Sequence, residues 1–367
     1  MKIIISVFNN LYTDQRIEKI SETLWNNGYQ IELIGCSWDG LPTMERPYPF
    51  HRIPIQSKVL KLAYLEFNYK LYSLLLKKVT PNTLLVANDL DTIIPNYLIS
   101  QKKQLPWVYD SHEIFTEMPS IQGRWTQKIW RAIEKYCVPK TQYMMTANES
   151  YAEWYQKTYN LTKPLAIRNL PKKIEDSHLK IIENNPKIIL YQGAINPSRG
   201  IDKVIRAMEK IDNAELWIAG NGPKLEEYKK LCSQIHLTNK VKFLGKLHPN
   251  ELREITQKAD VGLSIEENNG LSYYYSLPNK ISDYIQSRVP VVCSDFPEMR
   301  KITNQYSIGE VINNHSPEEL AGKIKHVLSL GKAHYYTELQ RAANDLCWEN
   351  ETQKLLDFYK KIEKENF

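Results

Sequence analysis

Apolar residues along this chain fall into short runs that alternate with longer stretches where they recur every three or four positions. The short runs, rich in Val, Ile, Leu and Tyr, predict strands over 3–8, 30–35, 83–87, 107–110, 143–146 and 165–168. A second set follows at 187–192, 215–219, 241–244, 261–265, 289–293 and 309–312. Helical periodicity lies between them, over 14–27, 58–78 and 125–138, then 200–210, 224–235, 249–258, 279–288 and 317–330. Strands separated by helices of this length predict an α/β fold with parallel sheets covered on both faces. The stretch "LPKKIEDSHLKIIENNPKI" (170–188) is polar, charged and bracketed by Pro171 and Pro186, as a linker would be. The pattern therefore predicts two Rossmann-like, doubly wound domains, 1–175 and 176–348, facing each other across a cleft. An amphipathic helix over 349–367 is expected to pack back on the first. In such sheets a ligand sits at the strand C-termini.

Composition narrows this picture only slightly. A length of 367 residues suits two domains, and 42% hydrophobic residues suffice for two cores. A net charge of +6 fits an anionic ligand or surface. No basic run of the kind that grips nucleic acid is present. The five cysteines, Cys36, Cys137, Cys232, Cys293 and Cys347, form no C-x-x-C pair, so neither a zinc site nor a disulfide framework is expected. The opening "MKIIISVFNN" reads as a strand rather than a signal peptide. No apolar stretch approaches the roughly 20 residues of a membrane span. A cytoplasmic location is expected.

Candidate chemistry gathers at strand ends. In "SYYYSLPNKISDYIQSRVPVVCSD" (272–295), Pro278, Asn279 and Lys280 stand where a helix begins. Proline is at home there for architectural reasons, but free N–H groups and the helix dipole also favour an anion. Lys280 in the first turn is mildly unfavourable for a cation, which suggests an anionic partner. Asp283 can accept hydrogen bonds from ribose hydroxyls or lie on the helix surface. "YQGAINPSRGID" (191–202) ends a strand at Gly193 and presents Arg199, whose planar fork of donors suits phosphate oxygens. "IAGNGP" (218–223) places Gly220 and Asn221 in a turn after a strand, either as a plain turn or as a ligand wall. It lacks the third glycine of a nicotinamide fingerprint. "VYDSHEIFTE" (108–117) puts Asp110 and His112 just past a strand end, and no G-x-S-x-G elbow accompanies them. "NNLYTDQRIEKI" (9–20) offers Asn10, Asp14 as a helix cap, and Arg16 one turn in, open to a cleft.

Taken together and in this order, these segments resemble the retaining GT-B glycosyltransferases of family 4, in a subset that carries a PNK segment. The resemblance implies that "YQGAINPSRGIDKVIRAM" clamps the donor diphosphate, and that His112 lines the cleft on the acceptor side with Asn10, Asp14, Arg16 and Asp110. Ala194 and Arg199 stand where the family has its arginine and lysine. Its two glutamates fall on Tyr275 and Asp283. Asp283 would then bind the ribose, and Glu266 or Glu267 would supply the missing sugar contact. Lys280 would restore the cation lost at Ala194. Gly193, Gly220, Asn221, Phe243 and Asn279 complete the implied donor site. His112, Arg199 and Lys280 are the implied catalytic groups.

The resemblance implies transfer of a sugar from a UDP- or GDP-sugar to a glycan or lipid-linked acceptor in cell-surface polysaccharide synthesis. It implies a hexosyltransferase that needs no cofactor and no metal. The rival readings are a sugar-nucleotide epimerase of the same fold and a partner subunit without turnover, the latter suggested by Tyr275. Two basic amphipathic segments, 58–78 and 123–136, suit peripheral contact with an anionic membrane at its inner face, or packing within the domain.

Overall fold

The computed structural model of the chain describes residues 1–38, 43–179, 182 and 184–367. Residues 180, 181 and 183 of the expected linker lie outside the described residues. The chain divides into two compact units. One comprises Met1–Asn169 with Glu351–Phe367, the other Leu170–Asn350.

In the first unit seven strands form one sheet: β1 (Lys2–Ser6), β2 (Gln30–Ser37), β3 (Phe50–Pro54), β4 (Thr83–Asn88), β5 (Trp107–Ser111), β6 (Tyr143–Thr146) and β7 (Leu165–Ala166). Their order is β3-β2-β1-β4-β5-β6-β7, every pair parallel. β1 and β4 are buried along nearly their whole length, as strands covered on both faces must be. β3 is absent from the sequence expectation. "FHRIP" is polar, half-buried and ends in proline, which marks an edge strand rather than a central one.

The second unit holds β8 (Lys187–Gln192), β9 (Ala214–Ala219), β10 (Val241–Gly245), β11 (Val261–Ser264), β12 (Val291–Ser294) and β13 (Gly309–Ile312). The order is β10-β9-β8-β11-β12-β13, again parallel throughout. In both sheets the chain reverses its direction of travel beside the first strand, which makes a switch point between β1 and β4 and another between β8 and β11.

Local signals explain the helices. Asp14 accepts hydrogen bonds from the N–H groups of Arg16 and Ile17 and starts the helix Gln15–Asn26. Ser316 caps Pro317–Asp345, with Pro317 in the first turn. That long helix breaks at Gly331 (φ 75°), so the expected stop near 330 is a kink followed by more helix. Helices Ile93–Lys103, Glu149–Tyr159 and Pro297–Tyr306 add to the expected set. The helix Asn279–Gln286 starts one residue after Pro278, which occupies the cap position rather than the first turn.

One buried ion pair ties the first unit together. Arg16 donates to both carboxylate oxygens of Asp110 (Nη2–Oδ1 2.7 Å, Nε–Oδ2 3.2 Å) and to the carbonyl of Ile167. It thereby pins a helix to the end of β5 and to the residue following β7. Arg16 is 3% exposed, so it is a clamp and not the open ligand group expected from sequence. Arg16→Ala leaves the buried Asp110 carboxylate without its nearest cation, with only His112 at 3.4 Å in reach. Chemical denaturation is expected to show a loss of about 3 kcal/mol or more at neutral pH.

Candidate functional site

Three charged side chains of the second unit meet at the switch point of its sheet. Arg199 comes from the loop after β8, Glu266 from the loop after β11, and Lys280 from the first turn of Asn279–Gln286. Lys280 Nζ lies 2.6 Å from Glu266 Oε1, and Arg199 Nη1 lies 3.4 Å from the same oxygen. Ser264 Oγ donates to Oε2 at 2.8 Å. Glu266 is fully buried and Lys280 nearly so. Burial opposes the carboxylate charge, but Lys280 and then Arg199 outweigh it and hold Glu266 below the usual carboxylate range.

Aromatic rings complete the setting. Lys280 Nζ sits 4.3 Å from the Tyr191 ring centre, and the Arg199 guanidinium 4.7 Å from that of Tyr273. Behind Glu266, Ser294 Oγ donates to its backbone carbonyl at 2.6 Å, and His315 Nε2 lies 3.1 Å from the same oxygen. The turn carrying the buried carboxylate is thus fixed from both sides.

Beside this cluster lies a cavity of about 720 Å³ walled by Gly193, Ala194, Ala219, Gly220, Asn221, Gly222, Lys246, Leu247 and Leu252. Its volume falls in the range of small-molecule and cofactor sites. Gly193 joins the two features, because a Cβ there would lie 3.8 Å from Lys280 Nζ. Gly220 has φ +155°, and a Cβ on it would stand 1.8 Å from the Gly193 carbonyl oxygen. Only glycine lets the loops after β8 and β9 approach so closely.

Several expectations change here. Phe243 packs against the core of its unit and does not wall the cavity, whose lining near β10 is Lys246 and Leu247. Asn279 is exposed and outside that lining. Asp283 accepts a hydrogen bond from Gln192 Nε2 at 3.0 Å, one turn beyond Lys280. Lys246, Leu247, Tyr191, Tyr273 and His315 were not singled out from sequence, because each is an ordinary loop, strand or short-helix residue until the fold assembles them.

The first unit has its own polar cluster at the equivalent switch point. His112 is mostly buried, with Nδ1 3.4 Å from Asp89 Oδ2 and Nε2 3.4 Å from Asp110 Oδ2. Its backbone N–H donates to Asp89 Oδ1 at 2.8 Å. Burial works against the imidazolium, but Asp89 and Asp110 overcome it and raise the pKa to about 9. Asp89 itself holds φ 56°, an uncommon conformation for a residue with a side chain. Asp14 serves as the helix cap, and Asn10 accepts from the backbone N–H groups of Tyr12 and Thr13. Asp14, Arg16, Asp110 and His112 thus share one network, while Asn10 belongs to a local turn. Among the described residues, no group of three or more His, Cys, Asp or Glu side chains is placed to hold a metal.

Residues 173–344 match the family model described as glycosyl transferases group 1. An uncharacterized glycosyltransferase of Methanocaldococcus jannaschii is 28% identical over 188 residues, 49% of this chain and 46% of that protein. Alpha-monoglucosyldiacylglycerol synthase of Streptococcus pneumoniae is 24% identical over 184 residues, 48% of this chain and 40% of its own length. The chain thus spans less than half the length of these two curated relatives. Among solved structures, sucrose-phosphate synthase of Thermosynechococcus elongatus superimposes with a TM-score of 0.80 at 15% identity, over 99% of both chains. Anabaena HepE, solved in complex with UDP, gives 0.73 at 13% identity over 98% of this chain and 100% of that one. With the two parallel sheets, these likenesses establish a GT-B fold.

Two measurements probe the two clusters. Gly220→Ala forces a backbone shift at the cavity wall and should cost at least about 1 kcal/mol in thermal or chemical unfolding. His112 is raised above its unfolded value near 6.5. Its charge therefore contributes stability that is complete below about pH 6.5 and lost as pH rises through about 9. Unfolding measured from pH 6 to 10 should show this decline, and His112→Gln should flatten it.

Proposed function

For this GT-B chain, whose residues 173–344 carry a glycosyl transferases group 1 domain, we propose transfer of a sugar from a nucleoside-diphosphate sugar to an acceptor hydroxyl, with retention of anomeric configuration. The observation that carries the reading is the meeting of Arg199 and Lys280 on one buried carboxylate beside a glycine-walled cavity. Two cations share a single negative charge, so the cluster keeps a net positive charge. That excess charge, set at the Gly193–Gly220 wall, suits the oxygens of a diphosphate. The UDP bound by Anabaena HepE supports a uridine or related diphosphate donor.

In this reading the bond from the anomeric carbon to the diphosphate breaks, and negative charge grows on the departing phosphate. Fixed cations stabilise that charge more than the ground state, by on the order of 2–4 kcal/mol per contact. The acceptor hydroxyl attacks from the face the nucleotide leaves, which gives retention. Glu266 takes the place of the family glutamate absent at Tyr275 by holding Lys280 and Arg199 at the donor site, and Asp283 meets the ribose. His112, with Asp110, stands on the acceptor side. The acceptor is a glycan or lipid-linked precursor of a cell-surface polysaccharide. The charge stabilisation that a metal supplies elsewhere comes here from Arg199 and Lys280.

A thermal-shift panel of UDP-, GDP- and ADP-sugars should identify the donor by its stabilisation, which follows affinity. With that donor, Arg199→Ala is expected to lower kcat/KM at least about tenfold. Lys280→Met strands Glu266 without its nearest cation, so Lys280→Met/Glu266→Gln serves as the folded control and should also lose turnover. Full activity in both the Arg199 variant and this double variant would defeat the reading. Binding of the donor without product in the wild type would favour a partner subunit instead.

A further inference from the structure

The helix Leu60–Lys78 carries two apolar stripes, and only one of them is used by the fold. Ala63, Phe67, Leu71 and Leu75, four residues apart, are buried in the core of the first unit. Leu62, Leu65, Tyr69 and Leu76, spaced three, four and seven residues apart on the opposite side, are exposed. Leu65 is 69% and Tyr69 75% exposed. Solvation of a helix surface does not call for leucine and tyrosine at these positions.

Neighbouring helices continue this surface. Helix Trp125–Cys137 exposes Trp125, Ile129 and Tyr136 at helical spacing, and helix Ile93–Lys103 exposes Ile94 and Leu98. Lys61 Nζ lies 4.5 Å from the centre of the Trp125 ring, and the Tyr64 and Trp130 rings meet edge to face. Tyr97 and Tyr136 join the other pair of helices in the same way. Among the described residues, eleven of the seventeen exposed large hydrophobic side chains lie on these helices or at Val59, which precedes the first. The apolar exposure is therefore a patch and not scatter.

Its charge is one-sided. Segments 58–78, 93–104 and 123–140 contain twelve Lys and Arg against two carboxylates, Glu66 and Glu134. Glu134 is fully buried, and Glu66 is engaged by Lys70 at 2.6 Å and by the N–H groups of Gln56 and Ser57. A second copy of this chain would bring the same cations face to face. An anionic bilayer offers both an apolar interior for the leucines and tryptophan and negative headgroups for the lysines. No helix among the described residues is long and apolar enough to cross a membrane, so the contact is with the bilayer surface.

We propose that this three-helix face docks the first unit on an anionic lipid bilayer, with Leu62, Leu65, Tyr69, Trp125 and Ile129 entering the interface and the surrounding lysines and arginines meeting the headgroups. The inference does not rest on the transferase reading. It is tested by co-sedimentation at low salt with vesicles of phosphatidylcholine containing one third phosphatidylglycerol. The wild-type chain is expected to partition onto them, to release as salt is raised, and to bind pure phosphatidylcholine poorly. Leu65→Glu/Tyr69→Glu should lower the partition coefficient by more than about tenfold, with an unchanged melting temperature. If that variant misfolds, Leu65→Ser/Tyr69→Ser makes the same comparison. The proposal is overturned if wild type ignores the anionic vesicles, or if folded variants bind them as wild type does. Light scattering that shows a dimer dissociated by the same substitutions would also overturn it, by assigning the face to self-association.

Discussion

Glu266 is the constraint around which the second unit is arranged. A carboxylate removed from water is costly unless cations and hydrogen bonds replace its hydration. Here Lys280 and Arg199 share Oε1, and Ser264 takes Oε2. To deliver those partners, the chain must bring three separate segments to one point. Gly200 permits part of this: a Cβ there would lie 2.3 Å from the Ile265 carbonyl oxygen, against the turn that carries Glu266. Gly220 permits the rest by letting the loops after β8 and β9 touch. The close approaches at Gly200 and Gly220 thus set the buried charge, its two cations and the cavity side by side.

The same logic operates in the first unit with a different balance. Its switch point gathers Asp89, Asp110 and His112, and Arg16 closes the group from the helix Gln15–Asn26. Burial is again the largest opposing effect on Asp110, and Arg16 with His112 hold its carboxyl well below the usual range. In a parallel sheet the strands all end on one edge, and at a switch point the flanking loops splay apart. That is why both units place their charged clusters there. In the second unit the excess is positive, and in the first two acids surround one imidazole that they keep charged through neutral pH.

The sheets were legible because central parallel strands are continuous apolar runs, and β1, β4, β8 and β11 all have that form. β3 was not, since an edge strand needs no such run. Arg199 and Lys280 stood out because a cation at a helix start asks for an anion, and the structure shows an internal one, Glu266, beside them. Arg16 carried the same signal and met the buried Asp110 of its own unit, because sequence cannot tell a buried carboxylate from an incoming one. Phe243 was misplaced by three or four residues: the strand was correct, but its register is irregular between Phe243 and Gly245, and Lys246 and Leu247 beyond it wall the cavity. Lys246 and His315 belong to loops whose position follows only from tertiary packing.

An internal counter-ion also bears on how such a cluster would handle a phosphate ligand under the proposed reading. Two unopposed cations, one of them nearly buried, would hold a diphosphate strongly before and after reaction, and tight product binding slows turnover without helping the chemical step. Glu266 reduces the attraction toward any resting anion while leaving the directional N–H groups in place. What survives is sensitive to where charge sits: donors fixed by Tyr191, Tyr273 and the shared carboxylate cannot follow a misplaced phosphate, but they reward charge that develops at their own position. The buried carboxylate therefore converts a strong anion trap into a selective one, and the cost of burying it is met by the same two side chains it restrains.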